Sequence, residues 1–192
     1  MEHIANPYRH AAAFPGLADI PDPVDDAAQA LALIARCPVA KETPLVQSEG
    51  LTREAGVAEL WIKDERARMG LGSFKALGAA YVIARDAEDG NAKGRTYVTA
   101  SAGNHGLSVA AGAQAFGARA VVYLADTVPE GFADRLRSFG AEVVRHGAIY
   151  EEAMSGAARA AKDNDWALLS DSSWPGYLDR PYTLMEGYLV LM

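Results

Sequence analysis

The chain of 192 residues is 50% hydrophobic and 22% charged, which supplies enough apolar material for a sizeable core in one or two soluble domains. Its 18 Lys and Arg stand against 25 Asp and Glu, a net charge of -7 that opposes a polyanion, so nucleic acid is not expected as a partner. The single Cys37 forms no internal disulfide and lacks the His and Cys neighbours of a zinc site, no stretch reaches the ~18 apolar residues of a membrane span, and MEHIANPYRH is unlike a secretory signal. No metal, no membrane contact and a cytoplasmic location are the corresponding expectations.

In chain order, Pro7, Pro15, Pro21 and Pro23 predict an irregular arm over the first 24 residues, and Asp25 to Arg36 reads as a helix. From residue 58 short apolar strands alternate with Ala-rich helices. The strand AELWIK precedes a helix at 73–85, RTYVTA one at 104–117, ARAVVYL one at 129–139, AEVVRH one at 149–163, and WALLS one at about 181–192. That alternation predicts an α/β fold with a parallel sheet. Gly117 and Gly140 sit where a helix C-terminus favours glycine. The closing EGYLVLM is still an apolar helical pattern, so the fold is expected to be incomplete.

Three constellations carry chemistry. Of the five lysines, Lys75 alone has no charged residue within two positions, and it is the only charge between Arg68 and Arg85. Apolar surroundings and a helix start both disfavour an ammonium, and a neutral amine is what imine formation requires. A lysine snorkelling from a helix end fits the same residues. The second constellation is TASAGNHGLSVAAGAQAFGA, where a strand runs through a glycine-flanked loop into a long helix whose first N–H groups suit a carboxylate or phosphate. Ser101, Asn104 and His105 add side-chain donors there; the plainer reading is a tight turn capped by Asn104, with His105 on the surface. The third is SDSSWPGY, which puts Asp171 at the carboxyl edge of the sheet with Trp174 and Tyr177 as pocket walls, or alternatively Asp171 as a turn cap and Trp174 as core.

SFKALGA followed by SAGNHG and an Ala-rich helix resembles the tryptophan-synthase-beta-type, or fold type II, pyridoxal-phosphate-dependent enzymes. Within them, KDE at 63–65, GLGSFK, DSSWPGY and MEGY resemble diaminopropionate ammonia-lyases, and Thr43, Pro44 and Leu45 match their TPL. The resemblance covers nearly the whole chain. It implies a three-layer αβα fold with a mostly parallel sheet, present here as its N-terminal half. Residues 1–89 would be the arm and first part of the large domain, 90–170 a small α/β domain, and 171–192 the return to the large domain.

The resemblance further implies pyridoxal 5'-phosphate as cofactor, held covalently by Lys75 with Asn104 hydrogen-bonded to its phenolic oxygen. Ser101, Ala102, Gly103, Asn104 and His105 would hold the carboxylate of a small amino-acid substrate. Lys75 would remove the α-proton, and Asp171 would be a second acid-base residue near the leaving amine. The implied reaction is elimination of ammonia from 2,3-diaminopropionate or a similar small L-amino acid, giving a keto acid and ammonia; homodimerisation is the family expectation.

Departures from the pattern refine this. Ala102 stands where the ammonia-lyases have aspartate and serine racemases have serine, which leaves Lys75 as the sole base and implies L-selectivity without racemisation. SAGNHG is also the form in threonine dehydratases, so threonine or serine dehydratase is an alternative. Glu186 replaces a common glutamine, and no GGGG-like run to hold the cofactor phosphate occurs in the 192 residues. These residues alone are expected to be inactive or partner-dependent, and a non-catalytic association module is the alternative of another class.

Overall fold

The computed structural model describes residue 22 and residues 24–191; the arm expected over the first 24 residues lies almost wholly outside them. Helix α1 (Ala28–Ile34) is shorter than the stretch from Asp25 to Arg36 because Asp26 Oδ1 accepts the Ala28 N–H and starts the helix inside it. Strands β1 (Leu45–Gln47) and β2 (Trp61–Lys63) pair antiparallel, with α2 (Glu49–Ala55) between them. AELWIK therefore does not open the parallel series, contrary to the expectation from its apolar pattern. Both short strands are exposed along their length, an arrangement that antiparallel pairs tolerate and parallel ones do not. Helix α2 was missed although its signals are present: Ser48 accepts the Leu51 N–H, and Gly56 closes the helix at φ +65°.

Beyond these come α3 (Lys75–Glu88), β3 (Thr96–Ala100), α4 (Asn104–Ala115), β4 (Arg119–Leu124), α5 (Glu130–Ser138), β5 (Glu142–Arg145), α6 (Tyr150–Asn164), β6 (Ala167–Leu168) and α7 (Asp179–Tyr188). The last four strands form one parallel sheet in the order β5-β4-β3-β6. Gly117 and Gly140, at φ +67° and +76°, end α4 and α5 as expected.

Alternation along the strands makes the layers. Tyr97 and Val122 face Leu107 and Ala113 of α4 and Leu136 of α5, while Val98 and Val121 face Ala153, Ala157 and Ala161 of α6. This is the expected αβα arrangement, with α3 and α7 packed beyond α4. All five residues of β3 are buried, as a central parallel strand requires. Because β3 and β6 are neighbours, the loop after β3 and the turn after β6 emerge side by side at the carboxyl edge. Among the described residues no helix is long and apolar enough to cross a membrane.

Candidate active site

Lys75 is the first residue of α3, and its approach is tightly specified. Met69, Gly70 and Gly72 all have left-handed backbone (φ 49°, 72° and 81°), which glycine adopts without a Cβ penalty. Upstream, the buried Arg68 donates from Nε and Nη2 to Glu65 at 2.6 and 2.8 Å, from Nη2 to Thr43 Oγ1 at 2.8 Å, and from Nη1 to the Lys41 carbonyl at 2.8 Å. This bidentate pair fastens the TPL segment to the turn that delivers Lys75. Ser73 Oγ then accepts the Lys75 N–H at 3.2 Å and starts the helix.

The 101–105 loop leaves the end of β3 and opens α4. Ser101 donates as expected, but within the loop: its Oγ donates to the Gly103 carbonyl at 3.5 Å and accepts the N–H groups of Gly103 (3.2 Å) and Gly106 (3.0 Å), shaping the loop from within. Helix α4 is capped at Gly103, with Asn104 as its first residue, so Asn104 is not the cap. Its side chain and that of Ala102 are exposed. The N–H groups of Ala102, Asn104 and His105 have no acceptor among the described residues and lie at the positive end of α4. His105 is not a surface residue. It is 3% exposed, with Nε2 2.8 Å from the Leu169 carbonyl, which only accepts; Nε2 therefore carries the proton and the buried Nδ1 has no partner among the described residues.

After β6 the chain turns sharply. Tyr177 Oη donates to the Leu168 carbonyl at 3.0 Å and accepts the Ser170 N–H at 2.9 Å. Trp174 and Tyr177 exchange backbone hydrogen bonds across Pro175 and Gly176, whose φ of +87° suits a type II turn, and their rings stack at 4.4 Å. Tyr177 thus ties the Asp171 turn to β6, and Trp174, half exposed at its edge, is not core. Asp171 is no mere turn cap: its Oδ2 accepts from Lys75 Nζ at 2.9 Å.

That pair corrects the charge expectation for Lys75. Burial does work against the ammonium, but the hydrogen bond and charge of Asp171, together with Tyr188, outweigh it and raise the amine above 10.5. The local sequence is free of charge, whereas the carboxylate arrives from 96 positions away. Burial likewise works to raise Asp171, and the His105 ring and the Lys75 ammonium outweigh it, so the carboxyl sits below its ordinary range. Burial lowers His105 from its ordinary value.

Other residues around the amine escaped the sequence reading. Lys75 Nζ lies 5.4 Å from the Phe74 ring centroid and 5.2 Å from that of Tyr188, and these rings meet edge to face at 5.2 Å. Tyr150 opens α6; burial and then the Asp171 charge raise its phenol. A cavity of about 660 Å³ between α1, α3 and α4 is lined by Leu33, Met69, Ala84 and Phe116, among others, and by none of these groups. Lys75 and Asp171 stand in contact, His105 lies within electrostatic reach of both, and Asn104 is bound to neither.

The donor set suits a carbonyl-bearing, anionic cofactor with an amino-acid substrate. It offers one amine at a helix start, free N–H groups at another, and an extended Gly103 whose Cβ would meet nothing within 4 Å. Glycine at 103 is not needed by the chain itself, and the open space beside it suits a ligand.

Residues 37–188 match the family of pyridoxal-phosphate-dependent enzymes. A diaminopropionate ammonia-lyase of Salmonella typhimurium is 33% identical over 187 residues, 85% of this chain and 45% of that protein. An L-threonine dehydratase of Haemophilus influenzae is 34% identical over 136 residues, 71% of this chain and 26% of that protein. The crystal structure of Escherichia coli diaminopropionate ammonia-lyase with an aminoacrylate-PLP azomethine reaction intermediate matches with a TM-score of 0.79 at 30% identity, covering 86% of this chain and 45% of that one. The chain spans less than half the length of the ammonia-lyases it matches. Motifs, fold and matches agree that the chain belongs to the pyridoxal-phosphate-dependent enzymes of fold type II.

Proposed function

We propose that this chain is the lysine-bearing part of an ammonia-lyase acting on 2,3-diaminopropionate or a similar small L-amino acid. The observation that carries the reading is the 2.9 Å hydrogen bond from Lys75 Nζ to Asp171 Oδ2, with the 101–105 loop beside it. Lys75 would hold the cofactor, and Asn104 would hydrogen-bond its phenolic oxygen. Bound pyridoxal phosphate supplies the electron sink for the carbanion left by α-proton removal. The free N–H groups of the loop orient the substrate carboxylate. Lys75 Nζ takes the α-proton, since Ala102 offers no second acid or base. Asp171, one hydrogen bond away, receives that proton and delivers it to the departing β-nitrogen. The released aminoacrylate hydrolyses to a keto acid and a second ammonia. In this reading 1–89 supplies Lys75, 90–170 is the small α/β domain with the carboxylate loop, and 171–192 returns Asp171 to the lysine.

Similarity to L-threonine dehydratase supports a second reading in which hydroxide leaves from threonine or serine. The test has two stages. Absorbance with pyridoxal phosphate before and after borohydride, with Lys75→Ala alongside, is expected to reveal a lysine-dependent adduct. Ammonia release from L-diaminopropionate is then expected to exceed that from L-threonine and L-serine. Faster release from the hydroxy amino acids selects the dehydratase. Absence of any lysine-dependent adduct defeats both readings and leaves an association module.

A further inference from the structure

Tyr188 is a polar group beside the lysine that the reading above leaves without a task. Its phenol oxygen is buried and has no hydrogen-bond partner among the described residues, a condition rare enough in folded proteins to call for a reason. Its position is built by a close crossing of α7 over α3. A Cβ at Gly187 would lie 2.7 Å from the Leu77 carbonyl oxygen and 2.9 Å from Tyr81 Cβ, and a Cβ at Gly78 would lie 2.5 Å from the Tyr188 ring. Two glycines thus let the helices approach closely enough to lay Tyr188 one turn along from Lys75, edge to face with Phe74 and with Nζ 5.2 Å from its centroid.

We propose that Tyr188 is a positioning residue for Lys75: its phenol oxygen is the second acceptor for the ammonium, holding it in place until its proton passes to Asp171. An ammonium has three donors, and Asp171 takes one. From the moment the lysine takes the α-proton until a proton passes to Asp171, the cation has two further donors to place in a site walled by two aromatic rings. A phenol serves both states, accepting from the ammonium and donating to the neutral amine, with no net proton transfer. The directions of shift agree: after burial, which raises the phenol, the Lys75 charge is what pulls Tyr188 back down.

This inference rests on Lys75 as the cofactor-holding base, and its test is independent of the cofactor. Acetic anhydride labelling of Lys75 in the cofactor-free chain, read by mass spectrometry across pH, reports the neutral amine fraction. Tyr188→Phe keeps the ring and removes the oxygen. It is expected to move the labelling midpoint to lower pH, raising the reactive fraction at fixed pH by about three- to tenfold. An unchanged or higher midpoint overturns the proposal. If the Phe variant does not fold, NMR titration of the Tyr188 Cζ carbon in wild type and Lys75→Met decides: the phenol is expected to ionise at higher pH in the variant, and an unchanged value overturns the proposal. A wild-type chain that forms no borohydride-trapped adduct defeats the cofactor reading instead, and the labelling result still stands on its own.

Discussion

Replacing Asp171 with asparagine keeps the size of the side chain and removes the charge that holds Lys75 as an ammonium. At 2.9 Å two unit charges attract by roughly 1.4 kcal/mol in water and by about 5.7 kcal/mol at an effective dielectric constant of 20. The side chains are 29% and 26% exposed, so solvent screens the pair and the lower part of that interval applies. A loss of about 1.5–3 kcal/mol corresponds to roughly one to two pKa units. With burial then largely unopposed, the amine falls from its raised value. Only the neutral amine attacks an aldehyde, so adduct formation with pyridoxal phosphate near pH 8 is expected to be about 10- to 100-fold faster in Asp171→Asn. Under the proposed function amino-acid turnover is expected to fall in the same variant, because the group assigned to protonate the departing nitrogen is gone. Stopped-flow absorbance between about pH 6 and 10, with borohydride trapping to locate the adduct on Lys75, measures both limbs. An Asn variant that reacts no faster than wild type refutes the view that Asp171 sets the charge of Lys75.

Other expectations follow from the same geometry. Burial lowers His105 from 6.5, so the folded state disfavours the protonated ring; stability from this group is fully present above 6.5 and declines as pH falls through 6.5 toward the folded value. Urea unfolding is expected to show that decline in wild type and not in His105→Gln, whose amide can still donate to the Leu169 carbonyl; an equal acid slope in both excludes the assignment. Gly187→Ala drives a Cβ to 2.7 Å from a backbone oxygen and is expected to cost about 1–3 kcal/mol, measured from the urea midpoint. Neutral behaviour there means that the α3–α7 crossing is looser than described. Turnover of D-diaminopropionate is expected to be poor with Ala102 and to rise in Ala102→Asp, whereas comparable use of both isomers by wild type removes the argument for a sole base.

The parallel sheet was legible because β3 and β4 are apolar runs between helices closed by Gly117 and Gly140, signals that need no tertiary context. AELWIK misled because three exposed residues carry the same local pattern as a core strand, and only the partner at 45–47 decides its sheet. Lys75, Asp171 and the 101–105 loop were readable as residue types at element ends. Their charge states were not, since the field at Lys75 comes from Asp171, 96 residues distant. Ser101 shows the same limit on a shorter scale: a hydroxyl in a loop reads as a donor for a ligand, while the fold turns it inward to donate to the Gly103 carbonyl and accept two N–H groups. Tyr188 was hidden because its role depends on Gly78 and Gly187, whose small size matters only where two helices meet.

Asp171 and Tyr188 both follow β6, so one returning segment brings the lysine its carboxylate and its phenol, each fastened by its own device. Tyr177 pins the turn to Leu168 and Ser170, and the start of α7 is held where Arg180 Nη1 donates to Asp86 at 3.1 Å, beside the Tyr97 phenol that donates to the same oxygen at 2.7 Å. Two acceptors for one ammonium are partly redundant: after either is lost, the cation can turn to the other. Single substitutions therefore understate what each group contributes, and the combination should expose it. In Asp171→Asn with Tyr188→Phe, the fall in the Lys75 labelling midpoint is expected to exceed the sum of the single falls, because the ammonium then keeps only the amide oxygen and two aromatic faces. Strict additivity would mean that the acceptors act on Lys75 independently, and a shared hold on the ammonium would have to be abandoned even if each single variant shifts the midpoint as expected.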